Sequence, residues 1–359
     1  MKLLLITILY FGLFIVCFGC ITSSTQTPII PTNSPSTPDD LTKSNQYEIQ
    51  QVILPQDSIH HNSPVEWWYF NGNLKDESGN LFSYHFTTFQ LEQDLDGSYP
   101  QLFHLSWHDH QKETVFHAEK SLQKYGSLPE DFIDFRVSAW QMTETKNLFT
   151  LYFNTPEHSI ELQLRKTKKP ILHNGTGFVD MKEAGQTYYY TYSSLPTLGE
   201  ISSSNKVSSL EGISWMDHQW GDFLSNQQIG WDWFSINLEN DHELMIAYVT
   251  DSATKSFITS YGTYIDPMGN SLHLNPKDFT LEALQTWKSP QTSASYPIEW
   301  DLSVPSIAAK LVISAMIPNS EFYSENNVTS SYWEGGTKID GVINGNPISG
   351  YGFMELVGY

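Results

Sequence analysis

The chain has 359 residues, with 40 acidic against 19 basic side chains and a formal net charge of −21. A balance this acidic argues against nucleic acid as a partner and against a body held to anionic lipid by charge. The only cysteines are Cys17 and Cys20, too few for a disulfide framework.

Lys2 and the apolar run Leu3 to Phe18 form a short charged and hydrophobic leader, below the about 20 residues that a membrane span usually needs. Ile21 to Gln46 is rich in Thr, Ser, Pro and Asn, the composition of a flexible tether. Leader, Gly19-Cys20 and tether together resemble the start of a bacterial lipoprotein, with residues 1–20 as signal peptide, Cys20 as the lipid-modified first residue and 21–46 as tether. An uncleaved anchor or an ordinary signal peptide are the other readings of the same residues. The expected location is the bacterial cell envelope, on its periplasmic or extracellular face, with the membrane reached through the N-terminal lipid.

Beyond the tether the pattern is all-β. Aromatic residues make up 14% of the chain, and Gly and Pro are spread throughout. Leu148 to Phe153 and Ile160 to Leu164 read as strands. Gly79-Asn80, Asp96-Gly97, Asn174-Gly175 and Gly269-Asn270 read as turns. Helix is expected only in short pieces, for example near Pro276 to Thr286, where the periodicity is weak.

The chain repeats once. Trp67-Trp68-Tyr69-Phe70-Asn71-Gly72-Asn73-Leu74 aligns with Trp231-Asp232-Trp233-Phe234-Ser235-Ile236-Asn237-Leu238 at an offset of 164, and Leu81 to Thr87 then follows Leu244 to Thr250. This predicts two β domains, 47–225 and 226–359, each opening on an aromatic strand, with an aromatic interface between them.

The densest chemistry precedes that boundary, in Trp215-Met216-Asp217-His218-Gln219-Trp220-Gly221-Asp222. On a strand, Met216, His218 and Trp220 share one face, with His218 and Trp220 about 7 Å apart, while Asp217 points the other way. A packed core histidine among tryptophans is the alternative to a catalytic His218.

Four stretches carry a family resemblance: Ser63 to Phe70, Asp217 to Gly221, Gly230 to Phe234 and Gly350 to Leu356. Together they resemble the lipocalin-like carotenoid 1,2-hydratases and AttH-type secreted proteins over about Tyr47 to Tyr359. The resemblance implies two consecutive calycin-like β domains, barrel or sandwich, around apolar pockets. It also implies a cofactor-free hydration, cyclisation or isomerisation of a hydrophobic small molecule. In that reading His218 and Trp220 match the family's His-x-Trp pair and Tyr248 its tyrosine, but Thr250 stands where the acid belongs. Asp251, through a bulge, or Glu66, Asp217 or Asp232 would then have to supply the proton. The expected catalytic set is His218, Trp220, Tyr248 and Asp217, with Glu66, Trp68, Trp231 and Trp233 binding substrate. Plain binding of a hydrophobic ligand and a secreted hydrolase are the alternatives.

Other signatures are weaker. Gly212 to Met216 misses the last glycine of a nucleophile elbow. No metal site and no cofactor are expected: His104 and His108 would stand about 13 Å apart on one strand face, and His108 with His110 reads as a solvated face. His60-His61 reads as a loop entering the first strand.

Overall fold

The computed structural model describes residues 50–91, 99–122, 132–204, 206–223, 228–323 and 331–359. The leader, Cys20, the tether and the Asp96-Gly97 turn lie outside the described residues. Everything described belongs to one compact unit, Ile49–Tyr359, and is all-β, with no α-helix among the described residues.

The first sheet contains β1 (Val65–Asp76), β2 (Leu81–Leu91), β3 (Gln101–Asp109), β4 (Thr114–Leu122), β5 (Asp134–Val137), β6 (Trp140–Thr145), β7 (Leu148–Asn154), β8 (Ser159–Arg165), β9 (Ile171–Leu172), β10 (Phe178–Asp180), β11 (Gln186–Ser203) and β12 (Lys206–Gly221). The second contains β13 (Ile229–Leu238), β14 (Glu243–Asp251), β15 (Phe257–Ile265), β16 (Ser271–Leu274), β17 (Thr280–Lys288), β18 (Ser295–Val304), β19 (Ala309–Ala315), β20 (Glu321–Phe322), β21 (Tyr332–Ile343) and β22 (Asn346–Val357). The helix expected near Pro276 to Thr286 is instead strand β17, paired with β18 from Thr280 onward. Its residues alternate too weakly for a helical stripe, and a neighbouring strand supplies the hydrogen bonds.

Both sheets are antiparallel and share one plan. Each opening strand pairs with the next strand and with the last, so β1 lies between β2 and β12, and β13 between β14 and β22. This closure curls each sheet towards a barrel, in the lipocalin-like manner.

Three cores follow from the pleat. Even-numbered residues of β1 and β12, among them Trp68, Phe70 and Met216, fill the first barrel with Phe86, Trp140 and Phe149. Phe234, Ile236, Ile246, Trp333 and Met354 fill the second with Trp300. Odd-numbered Val65, Tyr69, Trp215, Trp233, Met245 and Val249 form a third, aromatic core between the sheets. The strands at the centre are therefore buried on both faces, which explains their near-continuous apolar sequence. Gly336 belongs to this contact: a Cβ there would lie 2.4 Å from Ser83 Oγ, so only glycine lets β21 come so close to β2.

The repeat seen in the sequence is physical. Trp67 stacks on Trp231 at 6.3 Å, Tyr69 meets Trp233 edge to face at 5.3 Å, and Ser235 Oγ donates to Asn71 Oδ1 at 3.2 Å. Contacts that advance together along both strands mean that β1 and β13 run side by side in the same direction.

Candidate functional site

The face of β12 that carries Asp217 looks onto a cavity between the two sheets that is partly open to solvent. Trp67, Tyr69 and Asp217 come to it from the first sheet, Trp231 and Trp233 from β13, and Glu334 and Glu355 from β21 and β22. Three carboxyl groups thus meet in an aromatic enclosure.

Each acid is held differently. Asp217 accepts hydrogen bonds from Tyr189 Oη at 2.7 Å, Trp215 Nε1 at 2.7 Å and Thr191 Oγ1. Burial nevertheless pushes its pKa up to about 7. Glu355 accepts from Trp231 Nε1 at 3.2 Å; burial, with the charge of Asp217 nearby, pushes it up to about 8. Glu334 is the register partner of Glu355 and accepts from Tyr69 Oη, while its Oε2 has no hydrogen-bond partner. Burial and then the Glu355 charge raise Glu334 well above the carboxylate range. His85 Nδ1 stands 3.8 Å from that Oε2, and burial keeps its imidazole neutral.

Chemically this is an aromatic-walled chamber in which burial favours the protonated form of Glu334 and Glu355, beside an aspartate well supplied with donors. Three donors suit Asp217 to carry negative charge; one donor each leaves Glu355 and Glu334 in the neutral, proton-donating form. Faces of Trp231, Trp233 and Tyr69 offer π-density to a cationic carbon. Behind Asp217 runs a chain of bonds, Thr191 Oγ1 to His173 Nε2 at 2.7 Å and His173 Nδ1 to Thr263 Oγ1 at 2.8 Å, which ties the acid to both sheets.

The expected site residues divide between places. Asp217, Trp231 and Trp233 line the inter-sheet cavity. His218, Trp220, Glu66 and Trp68 do not: they lie on the opposite face of β1 and β12, turned into the first barrel. There His218 Nε2 meets Glu66 Oε1 at 2.6 Å, and His218 lies between Trp68 at 4.5 Å and Trp220 at 4.7 Å. Both His218 and Glu66 are fully buried. The pleat expected for Asp217 and His218 is present, but the cavity is on the aspartate's side.

Tyr248 joins neither group. Ala247 and Val249 of β14 line the cavity, so Tyr248 faces away and packs on Phe257 at 4.9 Å. Asp251 is half-buried and accepts from the backbone N–H groups of Ala253 and Thr254; the register shift beside it does not bring it to the cavity. Asp232 is buried on the barrel side, bonded by Tyr359 Oη at 2.6 Å and pushed up to about 7 by burial. Ser214 is mid-strand, accepting from Tyr84 and Thr197 hydroxyls, and no nucleophile elbow exists there. Of the His108 and His110 pair expected on a solvated face, His108 is fully buried and His110 half-buried, with its Nε2 2.8 Å from Ser83 Oγ, and His104 on the same strand is fully buried against Tyr332, because the second sheet packs there.

Glu334 and Tyr69 were not expected as site residues, and Glu355 only as part of the Gly350 to Leu356 motif. A signal for both acids exists in the sequence: each is a lone carboxyl in an apolar or glycine-rich strand, Trp333-Glu334-Gly335 and Phe353-Met354-Glu355-Leu356. An acid there has no solvent side to occupy once both faces are covered.

Two curled antiparallel sheets around a shared acid-bearing cavity define a two-barrel, lipocalin-like β protein. The profile of the AttH-like family matches residues 45–359, and the chain belongs to that family. Its fold is similar to the crystal structure of an AttH from Nitrosomonas europaea, with a TM-score of 0.77 and 23% identity over 87% of this chain and 98% of that one. It is also similar to kievitone hydratase from Nectria haematococca, with a TM-score of 0.70 and 16% identity over 87% and 94% of the two chains. In sequence it is 21% identical over 209 residues to Dehydratase asqC of Emericella nidulans, 56% of this chain and 59% of that protein. The match therefore spans about three fifths of that curated relative.

Proposed function

We propose that the protein adds water to, or eliminates it from, a hydrophobic small molecule in the inter-sheet cavity, using its own carboxyl groups and no cofactor. The observation that carries this reading is Glu355, a carboxyl group pushed up to about 8 in an aromatic cavity that also contains Asp217. Names of two relatives, a hydratase and a dehydratase, point to the same pair of opposite reactions.

In the addition direction, Glu355 gives its proton to one alkene carbon. The positive charge left on the other carbon lies against Trp231, Trp233 and Tyr69. Water bonds to that carbon and Asp217 takes the proton the water loses. A proton passing from Asp217 back to Glu355 restores the starting state, and elimination runs the same steps in reverse. Plain carriage of a hydrophobic ligand would need the aromatic walls but not buried acids, which cost stability to desolvate. Export and tethering through an acylated Cys20 complete the proposal and would place the reaction at the cell envelope.

The test is isotopic. Lipophilic extract of the native host is incubated with enzyme in H₂¹⁸O, and products are read by mass spectrometry. Labelled product that forms with wild type and vanishes with Glu355→Gln is the expected result. Equal conversion by the variant, or neither a labelled product nor a product lighter by one water with wild type, overturns the reading.

A further inference from the structure

On the other face of β1 and β12, away from the cavity, His61, Glu66 and His218 converge so that one ligand atom from each lies within 4.8 Å of the others. We propose that these three residues bind one divalent transition-metal ion of the zinc type at the end of the first barrel. Two imidazoles and a carboxylate are a ligand set that Zn²⁺ accepts, with a further position left for water.

The geometry is close to what such an ion requires. Glu66 Oε1 lies 2.8 Å from His61 Nδ1 and 2.6 Å from His218 Nε2. Two ligands on a tetrahedral Zn²⁺ at about 2.0–2.1 Å stand about 3.4 Å apart, so each pair opens by less than about 1 Å. Glu66 Oε2 is held from behind by the His61 backbone N–H at 2.7 Å and by Gln90 Nε2 at 3.2 Å, which aims Oε1 at both rings.

The surroundings are built to orient both rings. His61 turns Nε2 towards Asp57 Oδ1 at 3.5 Å, and His218 turns Nδ1 towards Tyr190 Oη at 3.2 Å, so each ligand imidazole has an oxygen partner on its remaining nitrogen. Trp220 stacks on His61 at 3.9 Å with an interplanar angle of 4°, and Trp68 covers His218. Without metal, both rings donate to the Glu66 carboxylate. With metal on Nδ1 of His61 and Nε2 of His218, the remaining ring nitrogens would face Asp57 and Tyr190. His61 is partly exposed and gives the ion a way in. Because His61 precedes β1 while Glu66 and His218 sit on β1 and β12, the ion would fasten the incoming segment to the two strands that close the barrel.

The test uses the full-length, untagged chain stripped with chelator and titrated with Zn²⁺ by calorimetry and with Co²⁺ by visible absorption. One equivalent of each, tetrahedral d–d bands for Co²⁺ and a raised Tm with Zn²⁺ are expected. His61→Ala, in a partly exposed loop, should abolish the bands while keeping the β circular dichroism spectrum, and Asp57→Ala should weaken binding by about tenfold. If His61→Ala does not fold, His61→Gln takes its place. Absence of binding at millimolar metal, or binding unchanged in the His61 variant, overturns the proposal. Neither outcome touches the reaction assigned to the cavity, whose labelling assay is read separately.

Discussion

Ser235 donates to Asn71 across the sheet interface at 3.2 Å, and the two residues stand 164 positions apart, the offset at which the chain repeats. Equivalent positions of the two halves thus bond to each other. Asn73 and Asn237 extend the relation, each donating through Nδ2 to a backbone carbonyl of the opposite sheet, Gly352 at 3.0 Å and Ser193 at 2.7 Å.

Neither half is expected to fold well alone, because Trp215, Tyr69, Trp233 and Met245 become surface when the other is removed. Dividing the chain between Gly221 and Ile229 should lower the melting temperature of both fragments. Within the intact chain, Trp233→Ala should cost about 3–5 kcal/mol. Two fragments that each melt cooperatively at the temperature of the whole protein would refute the coupling.

Turnover should follow a narrow bell in pH. Asp217 must be ionised to accept a proton and Glu355 protonated to give one. Activity therefore falls below about pH 7 as Asp217 is protonated and above about pH 8 as Glu355 ionises. Glu355→Gln and Asp217→Asn should each reduce the rate by about 10²–10⁴ with little change in denaturant midpoint. Rates that stay flat from pH 5 to pH 10, about two units beyond the bell on each side, would remove both residues from the reaction.

Replacing His218 by alanine should unfold more than it inactivates. Glu66 would lose a partner at 2.6 Å inside the barrel, and breaking a buried pair from one side costs about 3–5 kcal/mol. Urea denaturation of His218→Ala and of the double variant with Glu66→Gln checks this, since the second change should recover part of the loss. A single variant as stable as wild type would count against the packed cluster.

Stability should be highest over a plateau near mildly acidic pH. His85, His104, His108, His110 and His117 are all pushed down by burial, His110 to about 4 and His117 to about 3. Their contribution is complete above the unfolded value near 6.5 and is lost as pH falls towards the folded values. Asp217 and Glu355 act with the opposite sign: raised to about 7 and about 8, they contribute fully below about pH 4, and that share is lost as pH rises to 7 and 8. Between about pH 4.5 and 6.5 the two trends oppose each other. Melting temperatures measured from pH 3 to 9 should decline on both sides of that window, and a monotonic rise with pH would contradict the buried acids.

Export has its own test. Cys20→Ser should leave a protein released from membranes by mild washing, as expected if Cys20 carries the lipid. A variant that still fractionates as an integral membrane protein would point to an uncleaved Leu3 to Phe18 anchor.

Much of the fold is local in origin, and so it can be read from residues in order. Alternation with a period of two predicts the strands, turn dipeptides separate several of them, and the offset of 164 marks β1 and β13 as repeated strands before any coordinate is known. The same alternation correctly sets Asp217 against His218 on opposite faces. What it cannot decide is which face meets a cavity, because β1, β12 and β13 are buried on both sides and read as continuously apolar. Only the packing of one sheet on the other puts Asp217 with Glu334 and Glu355, which follow it by more than a hundred residues, and turns Tyr248 away. The His61, Glu66 and His218 cluster was hidden for a related reason: a loop residue, a first strand and a last strand meet only when the barrel closes.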